Sequence, residues 1–163
     1  MRRALAAVAL ALCGSLAAQA PQLRFPLRLT DPVKGTTVDV AAGARLTHLV
    51  FFATWCPPCL AEMQRLQELE QTWGRQGYRL VLVAVETRQT PERLRGFIER
   101  ESPPGQVLLD ADGSVQRAAG VSNLPAHLLV APDGTVIRKT GAGGRRRPRR
   151  RAAPGDAAAR MIA

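Results

Sequence analysis

An α/β fold, with a central mixed β-sheet flanked by helices, follows from three features of this 163-residue chain. Residues 46–53 and 78–85 are near-continuous apolar runs, the pattern of strands covered on both faces. Between and after them lie stretches with apolar residues at three- and four-residue steps, the period of amphipathic helices. Two short apolar runs around Pro132-Asp133-Gly134 read as a closing hairpin. Helical crossovers demand parallel pairing and a hairpin demands antiparallel pairing, so the sheet is mixed.

The elements follow in order. Residues 1–20 read as an export signal: Met1-Arg2-Arg3 is basic, residues 4–18 are apolar and uncharged, and Ala18 and Ala20 are small where a signal peptidase reads. Pro21 disfavours cleavage at that point and moves the expected cut toward Ala17. The apolar run is shorter than the roughly 20 residues a spanning helix needs, so the alternative is a weak membrane anchor. Residues 23–40 alternate loosely, with turn signals at Asp31-Pro32 and Lys34-Gly35, and predict an N-terminal β extension. After the first long strand comes Cys56-Pro57-Pro58-Cys59, then one helix with Leu60, Met63, Leu66, Leu69 and Trp73 on its apolar face. Thr90-Pro91 starts a second helix carrying Leu94, Phe97 and Ile98. Residues 107–109 form a short strand, Asp110-Ala111-Asp112-Gly113 a turn and residues 114–119 a short helix, and the hairpin of residues 128–130 and 135–138 follows. From Gly141 the chain turns to Gly, Arg, Ala and Pro, the composition of a disordered tail. The predicted division is therefore 1–20 signal or anchor, 21–141 folded domain and 142–163 Arg-rich tail.

Charge excludes one class of partner. The net charge is +10, yet residues 21–140 carry 14 Lys/Arg against 12 Asp/Glu. The tail from Gly141 adds seven Arg against one Asp. The folded part is nearly neutral and offers no basic face for nucleic acid.

The chain has three cysteines. Cys13 lies in the signal, so a cleaved chain keeps only Cys56 and Cys59. A bridge across so short a loop constrains the unfolded chain little, so its value is chemical. Haem attachment needs a His after the second Cys, where Leu60 stands. Structural zinc needs two further ligands, and the only histidines are His48 and His127. No metal or other cofactor is expected beyond the dithiol itself. A helix N-terminus favours thiolate, which makes Cys56 the expected nucleophile and Cys59 the resolving thiol.

Residues 52–59, Phe-Ala-Thr-Trp-Cys-Pro-Pro-Cys, followed by Glu62-Met63, resemble the TlpA/ResA-like branch of the thioredoxin superfamily, which comprises extracytoplasmic thiol–disulfide oxidoreductases. Residues 121–125 with Leu128-Leu129-Val130 and Asp133-Gly134 resemble the stretch with that family's cis-proline. The resemblance runs from about Phe25 to about Gly141. It implies a thioredoxin-like fold with an N-terminal extension, in a bacterial periplasmic protein, soluble or anchored. The implied activity is reduction of disulfides in exported proteins, often in cytochrome c maturation.

Residue by residue, Trp55 matches the tryptophan that shields the sulfur and shapes the docking surface. Pro125 matches the cis-proline facing the dithiol. Leu124 would offer backbone groups to a substrate strand, Pro57 would restrict the loop between the cysteines, and Glu62 matches a glutamate that tunes the pair or moves its proton. The expected partners are disulfide-bearing or dithiol exported proteins and a membrane electron donor, with the chain itself a monomer.

Three departures stand out. Thioredoxins proper carry a buried Asp where this chain has Val50. His127 replaces a small polar residue and is expected on a solvated strand face, the alternative being a place near the dithiol where it would respond to pH. The usual closing helix is missing or degraded, with the Arg-rich tail in its place. Two alternatives stay open: a disulfide-forming oxidant, and a non-enzymatic Cu(I) or thiol carrier using Cys56 and Cys59 with His127.

Overall fold

A computed structural model describes residues 23–40, 43–85 and 89–141. The expected signal or anchor, the tail and the missing closing helix lie outside these residues, as do both predicted domain boundaries. Seven strands form one sheet: β1 (Leu27–Thr30), β2 (Thr37–Val40), β3 (Leu46–Phe52), β4 (Tyr78–Val85), β5 (Gln106–Asp110), β6 (Ala126–Val130) and β7 (Val136–Gly141). Their spatial order is β2-β1-β5-β4-β3-β6-β7. The strands β3, β4 and β5 are parallel, while β6 and β7 and the β1–β2 hairpin run antiparallel to their neighbours. This is the mixed sheet that the sequence predicts.

The two apolar runs became the centre. Every residue of β3 is buried, and β4 is buried apart from Arg79. Phe51, Phe52, Leu49, Leu82, Leu94 and Leu108 lose nearly all solvent contact. Burial of each such side chain contributes about 1.5–3 kcal/mol. Helix α3 (Pro91–Glu101) sets Phe97 against Phe52, ring centroids 5.7 Å apart. Its start is written in sequence: the Thr90 side chain accepts from the Arg93 N–H, and Pro91 occupies the first turn, where no partner is lost.

Three boundaries differ from expectation. Residues 23–25 are not strand, and only Leu27–Thr30 pairs with Thr37–Val40. The Asp31 carboxylate closes that hairpin by accepting from Val33 and Lys34 N–H at 2.9 and 3.0 Å. The last strand extends to Gly141, because Ala126 is in register with it. The helix after the cysteines is two segments, α1 (Pro57–Ala61) and α2 (Met63–Trp73), joined at Glu62. There the ladder tightens: the Glu62 N–H reaches the Cys59 carbonyl, three residues back, at 3.4 Å.

A short helix α4 (Ser114–Ala118) follows β5. Its N-terminus is held by Asp110, fully buried, whose carboxylate accepts from Val115 N–H at 3.2 Å and Gln116 N–H at 2.7 Å. Sequence reading placed Asp110 in a turn; its side chain instead anchors the following helix.

Candidate active site: a dithiol backed by a histidine chain

Cys56 and Cys59 are joined by a disulfide at the end of β3, 6% and 2% exposed. Cys56 is the N-cap of α1, and its sulfur accepts the Cys59 N–H at 3.3 Å. The two prolines explain why this contact is singular. Pro57 and Pro58 carry no N–H, so Cys59 supplies the first free donor of the helix. That donor points at Cys56 sulfur, the arrangement that favours a thiolate there once the bridge opens. The sequence neighbours of the two cysteines, Trp55 and Leu60, are 48% and 39% exposed and present apolar side chains to solvent. Leu60 therefore faces out rather than into the core, since five-residue α1 buries only Cys59.

The Leu124–Pro125 peptide is cis, and Pro125 immediately precedes the start of β6. Thr54 bonds through its hydroxyl to the Gln89 side-chain oxygen at 2.7 Å, tying the strand end to the approach of α3.

Three residues beyond Cys59, Glu62 opens onto a polar chain that replaces the solvated placement expected for His127. His127 is not on a solvated face. Its ring is 18% exposed, with Nε2 2.8 Å from Glu62 Oε2 and Nδ1 3.1 Å from His48 Nε2. His48 Nδ1 in turn lies 2.6 Å from the Tyr78 hydroxyl. Four side chains from β4, β3, β6 and the α1–α2 junction thus form one continuous polar line. Glu62 Oε2 is buried and lies 2.8 Å from His127 Nε2, a close polar contact whose alignment falls short of an ideal hydrogen bond.

The register explains the meeting. β3 and β6 pair antiparallel with Val50 opposite His127 and His48 opposite Leu129, so both histidines project from the same side of the sheet. The joint at Glu62 places its carboxylate toward β6. Val50 itself, in register with His127, brings no titratable group.

The environment acts on each group by burial first. His48 is pushed down to about 3 by desolvation, with His127 adding to the effect. His127 is held below the usual histidine range by desolvation and Arg65, against the upward pull of Glu62. Burial, with Glu70 nearby, raises the Tyr78 phenol. Both imidazoles are therefore neutral near pH 7. A cavity of about 390 Å³ opens beside this line, bordered by Glu62, Arg65, Pro125, His127, Arg138 and Thr140. Among the described residues no three His, Cys, Asp or Glu side chains are grouped to hold a metal ion. His127, the third ligand of the carrier alternative, is engaged by His48 and Glu62.

The signal for the histidine chain was present in part. A histidine inside an otherwise apolar central strand requires a buried partner. The chain has two histidines, one in each of two strands that the predicted sheet could bring together.

The geometry fits a known family. The Redoxin family model matches residues 16–153. The chain belongs to the Redoxin family. Among the relatives, a thiol–disulfide oxidoreductase ResA of Bacillus thuringiensis is 30% identical over 91 residues, covering 56% of this chain and 51% of the relative. The thiol:disulfide interchange protein CycY of Rhizobium leguminosarum is 34% identical over 102 residues, covering 62% and 52%. This Redoxin chain spans about half the length of those relatives. Among solved structures, a secreted disulfide oxidoreductase of Mycobacterium tuberculosis, described as homologous to DsbE of E. coli, superposes with TM-score 0.61. It is 22% identical, with coverage of 84% of this chain and 95% of that one. StoA of Bacillus subtilis gives TM-score 0.60 at 21% identity, covering 71% and 87%. The fold is thioredoxin-like, as the resemblance implied. No helix among the described residues is long and apolar enough to cross a membrane.

Proposed function

We propose that this Redoxin-family chain is a thiol–disulfide oxidoreductase that reduces disulfides of exported proteins outside the cytoplasm. The observation that carries the reading is the Cys56–Cys59 bridge at a helix start, with the first free helix N–H aimed at Cys56 sulfur. In the reduced enzyme Cys56 attacks a substrate disulfide, forming a mixed disulfide and expelling one substrate thiolate. Cys59, buried one turn in, then attacks Cys56 sulfur, expels the second substrate thiolate and restores the bridge. A membrane dithiol donor of electrons returns the enzyme to its reduced form.

The exposed apolar side chains of Trp55 and Leu60, with Pro125 and the backbone of Leu124 next to it in sequence, suit an extended protein substrate rather than a small polar thiol. Pro57 limits the freedom of the loop between the sulfurs. Glu62, one turn beyond Cys59, is the candidate to take its proton. The names of the relatives support exported redox chemistry, and cytochrome c maturation is the setting that the family resemblance suggests.

The test is the reduction potential of the Cys56/Cys59 couple, measured by equilibration with glutathione or dithiothreitol buffers. A value below about −220 mV supports a reductant, and one near −120 mV makes the protein a disulfide-forming oxidant instead. Absence of a reversible couple overturns the enzyme reading.

A further inference from the structure

We propose that His127, backed by His48 and Tyr78, holds Glu62 as the proton acceptor for Cys59 and accommodates the added proton by reversing the direction of their hydrogen-bonded chain. The inference rests on the reading of Cys59 as the resolving thiol. His127 acts through Glu62 and does not touch the sulfurs, so its role is a positioning one.

The argument starts from the atoms available. Each neutral imidazole has one donor and one acceptor nitrogen, and a hydroxyl can do both. With Glu62 ionised, the Tyr78 hydroxyl donates to His48 Nδ1, His48 Nε2–H donates to His127 Nδ1, and His127 Nε2–H faces the carboxylate. With Glu62 protonated, its O–H donates to His127 Nε2, His127 Nδ1–H donates to His48 Nε2, and His48 Nδ1–H donates to the Tyr78 oxygen. In both directions every ring nitrogen has a partner and neither imidazole carries a charge. A charged imidazole would be costly at so buried a place. An apolar backing would leave His127 Nδ1 unpaired in both directions, and a single fixed amide would satisfy one direction only.

The surrounding charges agree with this use. From α2, Arg65 lies close enough to disfavour charge on His127. From β7, Arg138 borders the same cavity, and from β3 only neutral His48 faces the ring. Glu70 acts on Tyr78 at the far end and keeps its phenol protonated. The cavity joins Glu62 to Pro125, carries the polar groups of Arg65, His127, Arg138 and Thr140 on an otherwise apolar wall, and has room for water to carry protons between carboxylate and solvent.

The step balances as follows. The Cys59 thiol loses its proton to the Glu62 carboxylate, and its sulfur attacks Cys56 sulfur of the mixed disulfide. The Cys56–Cys59 bond forms and the bond from Cys56 to the substrate sulfur breaks. The substrate leaves as a thiolate and takes a proton from water. The enzyme dithiol is oxidised and the substrate disulfide reduced.

The experiment uses the reduced full chain carrying C13S, so that Cys56 and Cys59 are its only thiols, and 5,5′-dithiobis(2-nitrobenzoate), whose two thionitrobenzoate releases are followed by stopped flow from pH 5 to 9. The first release reports Cys56 attack and the second reports resolution by Cys59. H127L is expected to leave the first within about twofold. It should slow the second at least about tenfold at pH 7, the low side of general-base effects, and move its pH profile upward. H127Q, which keeps polarity without a reversible tautomer, should slow it in the same direction, and keeps the test decisive if H127L does not fold. E62Q/H127L should be no slower than E62Q, because one route is lost once. A folded H127L or H127Q with the second release and its pH profile unchanged overturns the proposal. Failure of the wild-type chain to give a second release would overturn the thiol-exchange reading itself, a result separate from any effect of His127.

Discussion

Acidification loads one buried ring with a cost that can be worked out. His48 is 1% exposed, and its imidazole is pushed from 6.5 down to about 3. In the unfolded chain the same ring titrates near 6.5. Below that pH the unfolded state binds a proton that the folded state refuses, so unfolding gains about 1.4 kcal/mol per pH unit. The stability is present in full above pH 6.5 and is lost as pH falls toward the folded value. From pH 6.5 to 4 the loss is about 3 kcal/mol, a large share of the 5–15 kcal/mol typical of a domain. The assay is urea unfolding of wild type and H48Q at pH 7, 6, 5 and 4, followed by fluorescence of the two tryptophans. H48Q should begin about 1–2 kcal/mol less stable at pH 7, from the altered bonds to Tyr78 and His127. It should then lose about 3 kcal/mol less than wild type on reaching pH 4, so the gap closes or inverts. His127 has the same sign and leaves a residual slope in both proteins. Parallel curves for the two proteins would refute a neutral, buried His48.

Other expectations follow from single contacts. C59S should trap a mixed disulfide on Cys56 that persists for mass spectrometry, whereas rapid loss of the adduct would move the resolving role away from Cys59. D110A strips the acceptors from two N–H groups at the start of α4; urea melts should show a loss of about 2–4 kcal/mol, and a change under 0.5 kcal/mol would mean water replaces the carboxylate freely. L94A removes a fully buried side chain of α3 and should cost about 2–5 kcal/mol by the same assay. At Gly105, φ is +69° and an added Cβ would lie 2.7 Å from the Leu80 carbonyl oxygen. G105A should therefore lose at least about 1–3 kcal/mol, and a stability equal to wild type would show that the β5 entry relaxes without cost.

What could be read from the sequence was whatever depends on near neighbours. Two long apolar runs have one good solution in a doubly covered sheet, and β3 and β4 took it. Thr90-Pro91 and the cysteine pair carry their geometry within four residues. What escaped depends on distant strands or on side-chain reach. The joint at Glu62 interrupts an apolar period that runs without a break from Leu60 to Trp73, because a switch to an i→i−3 bond leaves no mark on that pattern. Asp110 read as a turn residue because its value lies in N–H groups five and six residues ahead. His127 read as solvated because nothing near it in sequence names its partners. His48 is 79 residues away and Glu62 sits across the sheet face.

That separation has a kinetic meaning. Cys56, its helix and Glu62 all belong to the first half of the chain, while Pro125 and His127 arrive with β6, which docks antiparallel on β3. Closing so long a loop comes late and slowly compared with forming α1 and α2 locally. Until β6 is in place, the two thiols are a solvent-washed pair without their polar backing. Under the proposed mechanism, a chain without docked β6 can still open a substrate disulfide through Cys56 but resolves it slowly, so fast product release reports a completed central sheet.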